Sequence, residues 1–257
     1  MNSLKLCYFL VAVASCGLVP SLGAAFEWPF LKACTPKDEL CQRKRVVEFF
    51  QTYSNGIPEL DIPSLNPMYL GNINAKGQGN ENLNLNINMI DVLLYNYTNI
   101  ECLDVKGVTG DMTKPAHLTF KVKNPHLIVR TRCHLSGKLL IFNVEGETDL
   151  EVHMMNTTTV IDVDLEPYSE GDQSYFKATS FCAKQQTPSM KIFFKNSTLF
   201  NGDQMFADVF TDTINENWML MRDEIQPYFE KANAKVSLVI LNKILITIPS
   251  DQYFKDE

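Results

Sequence analysis

Residues 203–248 carry apolar side chains at three- and four-residue spacing: Phe206, Val209, Phe210, Ile214, Trp218, Met221, Ile225, Ala232, Val236, Ile240 and Ile244. That spacing places one apolar stripe along a helix. At about 1.5 Å per residue, a continuous helix of this length would reach about 65 Å. A compact domain of this size needs less, so something elongated has to cover the stripe. Asp203 suits the N-cap position. Pro227 removes a backbone donor inside the pattern and predicts a kink or break there. Residues 238–248 are apolar nearly all round; a strand is conceivable, but the helical phase carried from Val236 to Ile244 favours helix, ended by Pro249.

The covering surface is legible upstream. Leu83, Leu85, Ile87 and Met89 alternate strictly with Asn84, Asn86 and Asn88, which is the pattern of a half-buried strand. Residues 93–99, 101–108, 117–122, 127–132, 138–144, 149–155, 158–165, 175–182 and 190–194 read as further strands. Ser136-Gly137 and Glu145-Gly146 read as turns between them. Eight to ten strands at hairpin spacing make an antiparallel meander. Before it, Thr35-Pro36-Lys37-Asp38 predicts a helix with Thr35 as cap and Pro36 at the first position. Leu40, Val46, Val47, Phe49, Phe50 and Tyr53 continue it, and Asn55-Gly56 stops it. The segment 57–67 holds three prolines and reads as extended. The chain is therefore α+β, a sheet framed by a short helix and a long one.

The first 25 residues read as a secretory leader: Lys5, an apolar run over 6–19, then Gly23-Ala24-Ala25 before a cleavage point. The predicted mature domain is 26–257. Loss of Lys5 takes the net charge from -7 to -8. An acidic chain without a basic patch is a poor partner for nucleic acid or for anionic membranes. No stretch reads as stable membrane insertion. Arg43-Lys44-Arg45 is read as a solvated helix face. Five cysteines remain after cleavage: Cys34, Cys41, Cys102, Cys133 and Cys182. An oxidising compartment favours pairing. Cys34 and Cys41 can pair if Cys34 lies outside the first helix and curls back, because seven residues of helix would hold them about 10 Å apart. Sequons at Asn96, Asn156 and Asn196 predict a glycoprotein.

Catalytic motifs are hard to find. His117, His126, His134 and His153 form no zinc-type spacing, and there is no G-x-S-x-G elbow or P-loop. Gly77-Gln-Gly79 is a turn, and Asp162 with Asp164 reads as a solvated strand face. The reading is a non-enzyme with no metal and no cofactor. What stands out is large, flexible apolar volume: Met205, Phe206, Phe210, Trp218, Met219 and Met221 on the long helix, Phe49 and Phe50 on the first. Such walls adapt to lipid-like ligands. Tyr53, Tyr69, Tyr95 and Trp218 are candidate donors to a polar head.

The order of a leader, Cys34-x6-Cys41, Gly56-Ile-Pro-Glu-Leu-Asp-Ile-Pro-Ser-Leu-Asn-Pro67, Gly137-Lys-Leu-Leu140, Leu199-Phe-Asn-Gly-Asp203, Asn215-Glu-Asn-Trp218 and Asn242-Lys-Ile-Leu resembles the takeout and juvenile hormone-binding protein family of arthropod secreted proteins. The resemblance spans essentially the mature chain. It implies a long helix wrapped by a highly curved antiparallel sheet, similar to one barrel of the tubular lipid-binding proteins, around a hydrophobic tunnel. It implies an extracellular carrier of juvenile hormone-like terpenoids or other small hydrophobic ligands. The candidate ligand contacts are Phe49, Phe50, Tyr53, Met68, Ile87, Met89, Phe120, Phe206, Phe210, Ile214, Trp218, Met221 and Ile225. The family's N-terminal disulfide maps onto Cys34 and Cys41. A second is assigned to Cys133–Cys182, with Cys102 able to replace either partner. The alternative is a secreted structural, interaction or signalling glycoprotein with a filled core. Oligomeric state is not legible.

Overall fold

The computed structural model describes residues 26–253 except 30, 32–33, 78–82 and 112. The predicted leader lies outside the described residues. Among the described residues three α-helices are formed, α1 (Glu39–Thr52), α2 (Gln204–Glu216) and α3 (Trp218–Leu245). Seven strands make one sheet: β1 (Met68–Ala75), β2 (Leu83–Tyr95), β3 (Glu101–Lys106), β4 (Ala116–Leu139), β5 (Phe142–Glu170), β6 (Gln173–Gln186) and β7 (Ser189–Lys195). All pairings are antiparallel. The order is β1-β2-β4-β5-β6, with β3 beside one end of β4 and β7 beside one end of β5. The fold is the predicted one: a large curled sheet, not closed on itself, around the C-terminal helices.

β4 and β5, 24 and 29 residues long, are the spine. Each fuses segments that the sequence divides. Gly137 and Gly146 lie inside the β4–β5 ladder, opposite Val144 and Leu135, not in turns. Gly137 has φ 127°, and a Cβ there would sit 2.2 Å from the Asn84 carbonyl oxygen. This glycine marks a close backbone approach, not a chain reversal. The reversal is at Leu140-Ile141, where Leu140 takes φ 54°. On β2 the alternation holds: Leu85, Ile87 and Met89 are buried while Asn84, Asn86 and Asn88 are exposed. Asp91, at φ 53°, falls where the register shifts, and the bulge returns Val92 and Leu94 to the core. β1 lies in a stretch the sequence leaves unassigned.

The helix ends depart from expectation in two places. Asp38, not Thr35, caps α1, accepting from the Cys41 N–H. This leaves Cys34 outside the helix, bonded to Cys41 with Cα atoms 5.7 Å apart. The Gln42 amide donates to the Thr35 and Pro36 carbonyl oxygens and holds that curl. The long helix breaks at Asn217, not at Pro227. Asn217 Nδ2 donates back to the Thr213 carbonyl oxygen, a side-chain bond that competes with helix continuation. Pro227 is exposed on α3, where water can satisfy the freed carbonyl. Asp203 caps α2 as predicted, accepting from the Phe206 N–H.

The helices fill the gap in the sheet and complete its edges. Asn242 accepts from the Ala178 N–H and donates to its carbonyl oxygen on β6. Asn215 does the same to Ile192 on β7. Gln226 donates to the Gln185 carbonyl oxygen, while Glu230 accepts from the Gln185 N–H. On the opposite edge Tyr228 donates to the Lys76 carbonyl oxygen just past β1. Trp28 donates to Thr247 and ties the N-terminal segment to the end of α3.

The second disulfide is overturned. Cys102, Cys133 and Cys182 are free. Cys133 stands opposite Thr148 and Cys182 opposite Asp162, 14 residues apart along β5. At about 3.3 Å per residue that is about 46 Å of strand, against a limit of about 7 Å between bridged Cα atoms. Cys102 cannot substitute. It pairs with Val122, 11 residues from Cys133 along β4, about 36 Å away. From Cys182 it is three strand spacings away, about 14 Å. No helix among the described residues is long and apolar enough to cross a membrane.

Two outcomes follow. Alkylation of the denatured, unreduced chain from residue 26 onward will modify the three free cysteines and spare Cys34 and Cys41, as read by peptide mass spectrometry. Asn242→Ala strands both backbone groups of Ala178 and will destabilise by about 2 kcal/mol in urea denaturation.

Candidate functional site

Two apolar chambers lie between the helices and the concave face of the sheet. The larger, about 430 Å³, is walled by α1, α3 and four of the strands. α1 contributes Arg45, Val46, Phe49 and Phe50, and β1 contributes Met68. Phe120 comes from β4, Ile161 and Val163 from β5, Phe176 and Phe181 from β6, and Ser237, Ile240, Leu241, Ile244 and Leu245 from α3. The smaller, about 80 Å³, lies toward the other end, between Ile87 and Met89 of β2, Phe210 of α2 and Met221, Ile225 and Phe229 of α3. The chambers share no lining residue.

Asn233 sits one turn from Phe229 of the small chamber and one turn from Ser237 of the large one. Its side chain accepts from the Ser237 hydroxyl, and both bond the Tyr97 hydroxyl. Burial pushes the Tyr97 phenol up, so it stays a neutral partner. This satisfied cluster is a polar step between two apolar volumes.

The predicted contacts thus divide. Phe49, Phe50, Met68 and Phe120 meet at the large chamber; Ile87, Met89, Phe210, Met221 and Ile225 meet at the small one. Ile214 is buried in the core without lining either. Tyr53 packs behind the wall, its ring 5.3 Å from Phe49 and 5.6 Å from Trp28. Phe206 is 52% exposed, and Met205 and Met219 also face solvent. Trp218 lies under the Arg222 guanidinium, 5.3 Å away, outside both chambers. The helical stripe is right in period, but the first turn of α2 leaves Met205 and Phe206 exposed, and Trp218, beside the break at Asn217, lines neither chamber. Residues 238–248 are wall, through Ile240, Leu241, Ile244, Leu245 and Ile248.

The candidate polar donors also move. Tyr69 is half exposed and bonds Asp91 on the outer face. Tyr95 stacks under Arg130. The polar groups at the large chamber are Arg45, Tyr97, Thr109, Ser237 and Tyr253. Two buried atoms there lack a hydrogen-bond partner among the described residues, Arg45 Nε and the Tyr253 hydroxyl. An unmet buried donor costs about 1–3 kcal/mol. Burial pushes the Tyr253 phenol well above its usual range, so it remains a donor. Local spacing on α1 signals only amphipathicity, and nothing in sequence distinguishes Arg45 from Arg43 or Lys44.

Titratable networks lie elsewhere. His126 bonds His153 at 2.9 Å, and His153 bonds Glu151 at 2.8 Å. Lys195 and Arg130 also reach Glu151. The His153 bond first, then the two cations, hold Glu151 down at about 2. Asp162 and Asp164 face His117. Burial first, then Asp149, pushes Cys133 up to about 12, so it packs as a neutral apolar group. Among the described residues no group of three metal-ligating side chains forms.

The geometry defines a class: a helix-filled, curled sheet enclosing apolar chambers. The sequence pattern of the haemolymph juvenile hormone binding protein (JHBP) family matches residues 7–255. The Circadian clock-controlled protein daywake of Drosophila melanogaster is 32% identical over 251 residues, covering 96% of this chain and 95% of that one. Its counterpart in Drosophila yakuba is 32% identical over 230 residues, 88% of each. The crystal structure of Epiphyas postvittana Takeout 1 superposes with a TM-score of 0.73 at 17% identity, over 85% of this chain and 96% of that one. The chain belongs to the haemolymph juvenile hormone binding protein family.

Glu151 gives a pH signature. Its folded value lies below the ordinary 4.5. Its stabilisation is therefore complete above that pH and fades as pH falls toward about 2. In thermal melts, wild type will lose its advantage over Glu151→Gln across that window and keep it at neutral pH.

Proposed function

We propose that the mature chain is a secreted carrier that buries one small hydrophobic molecule, a terpenoid or fatty acid, in the larger chamber. One observation carries this reading: an apolar chamber of about 430 Å³ between α1, α3 and the sheet. Protein interiors ordinarily leave few voids larger than a water molecule. This volume falls within the range of small-molecule sites, about 300–1,000 Å³. Desolvation of the ligand supplies the driving force, about 25 cal/mol per Å² before ordering costs. The reading assigns ligand contact to Phe49, Phe50, Met68 and Phe120, and to α3 from Ser237 to Leu245. A filled-core structural or signalling protein would have no use for such a void.

Membership of a family named for hormone binding supports a binding role without catalysis. Among the described residues, the side chains around the larger chamber include no carboxylate, imidazole or thiol, so they offer no general base or strong nucleophile. Secretion rests on the leader and fits the Cys34–Cys41 bridge. Asn156 and Asn196 are exposed and Asn96 half-buried, so we assign glycans first to the former two.

Native mass spectrometry of insect-cell protein will show one apolar ligand per chain. Ile161→Trp fills the larger chamber and will weaken binding of a long-chain lipid probe by about tenfold or more, while Met221→Trp, at the small chamber, will change it little. Absence of any co-purified or added ligand sinks the carrier reading.

A further inference from the structure

Among the described residues, Arg45 is the one formally charged side chain lining the larger chamber. Its Nη1 meets Glu48 at 2.5 Å, and Lys44 shares the same carboxylate at 3.8 Å. Two cations thus face one anion. Arg43 spends its Nη1 on the Leu103 carbonyl oxygen. Arg45 Nε is buried and has no acceptor among the described residues. A guanidinium presents its N–H groups in a rigid fork that fits a carboxylate. The rest of the wall is almost wholly apolar, so a bare carboxylate is disfavoured everywhere except at this fork. The Tyr253 hydroxyl, also without a partner among the described residues, is a neutral donor and brings no positive charge to offset a carboxylate.

Resting on the carrier reading above, we propose that Arg45 selects the head group. The larger chamber takes a long-chain lipid as its free acid, the carboxylate on the side of the Arg45 guanidinium away from Glu48 and the chain against Phe49, Phe120 and Ile240. The neutral ester of the same chain is the disfavoured form. An ester oxygen can accept from Nε, but it brings no charge to offset the excess cation. Glu48 fixes the other side of the fork and aims it. The α1 basic run is therefore functional at one position and solvated at its neighbours.

The test is calorimetric titration of the mature, full-length chain near neutral pH with palmitoleic acid and with its methyl ester. Wild type will bind the acid about tenfold tighter or more, the scale of one charge-assisted contact. Arg45→Met will bring that ratio to one or below while the ester still binds, which shows that the variant is folded. Arg45→Lys will retain part of the preference. Tyr253→Phe will leave the ratio unchanged. Equal affinities in wild type, a preference that survives Arg45→Met, or its loss in Tyr253→Phe would overturn the assignment. Failure of both acid and ester to bind wild type would instead overturn the carrier reading beneath it.

Discussion

The fold depends on how an open sheet ends. An unpaired strand edge exposes N–H and C=O groups and invites pairing with other chains. Here helix side chains complete part of the edges. Asn242 and Asn215 each give one acceptor and one donor to a single strand residue, Ala178 and Ile192. Gln226 and Glu230 divide the same task at Gln185. A carboxamide supplies both halves from one side chain. These contacts fix where α2 and α3 sit along β7 and β6, and hence which helical residues face the interior.

The chambers follow from that placement. A helix is about 10–12 Å across with side chains, while the sheet's curl is set by 24- and 29-residue strands and their bulges. A helix held at its flanks cannot also fill the concavity on both sides. α1, pinned by the Cys34–Cys41 bridge and by Arg43 on β3, closes one flank with aromatic rings. The volume left beneath it is the larger chamber. The Tyr97–Asn233–Ser237 cluster interrupts the apolar wall where the two volumes approach. Buried polar groups that satisfy one another are rigid, so the interior is partitioned, not one uniform tube.

Much of this was legible in sequence wherever a signal is local. Alternation on β2 named its buried face, because a strand period of two is set by the backbone itself. The Asp203 cap and the Cys34–Cys41 bridge likewise need only neighbours within a turn or two. The site was legible by residue type but not by address. Phe206 and Trp218 obey the same helical period as Phe210 and Met221, yet Phe206 is exposed and neither lines a chamber. Gly137 and Gly146 resemble turn residues, but their freedom serves close approach within a ladder.

Sequence by itself determined the secondary-structure class, the apolar stripe, the first disulfide and the family pattern, since each rests on spacing along the chain. Only tertiary structure decided the rest. Strand register separated Cys133 from Cys182 and left both reduced. The Asn217 side chain, not Pro227, broke the long helix, because exposure let Pro227 shed its lost bond to water. Packing singled out one arginine of three for the chamber wall. These outcomes depend on distances between residues far apart in the chain, which no local period encodes.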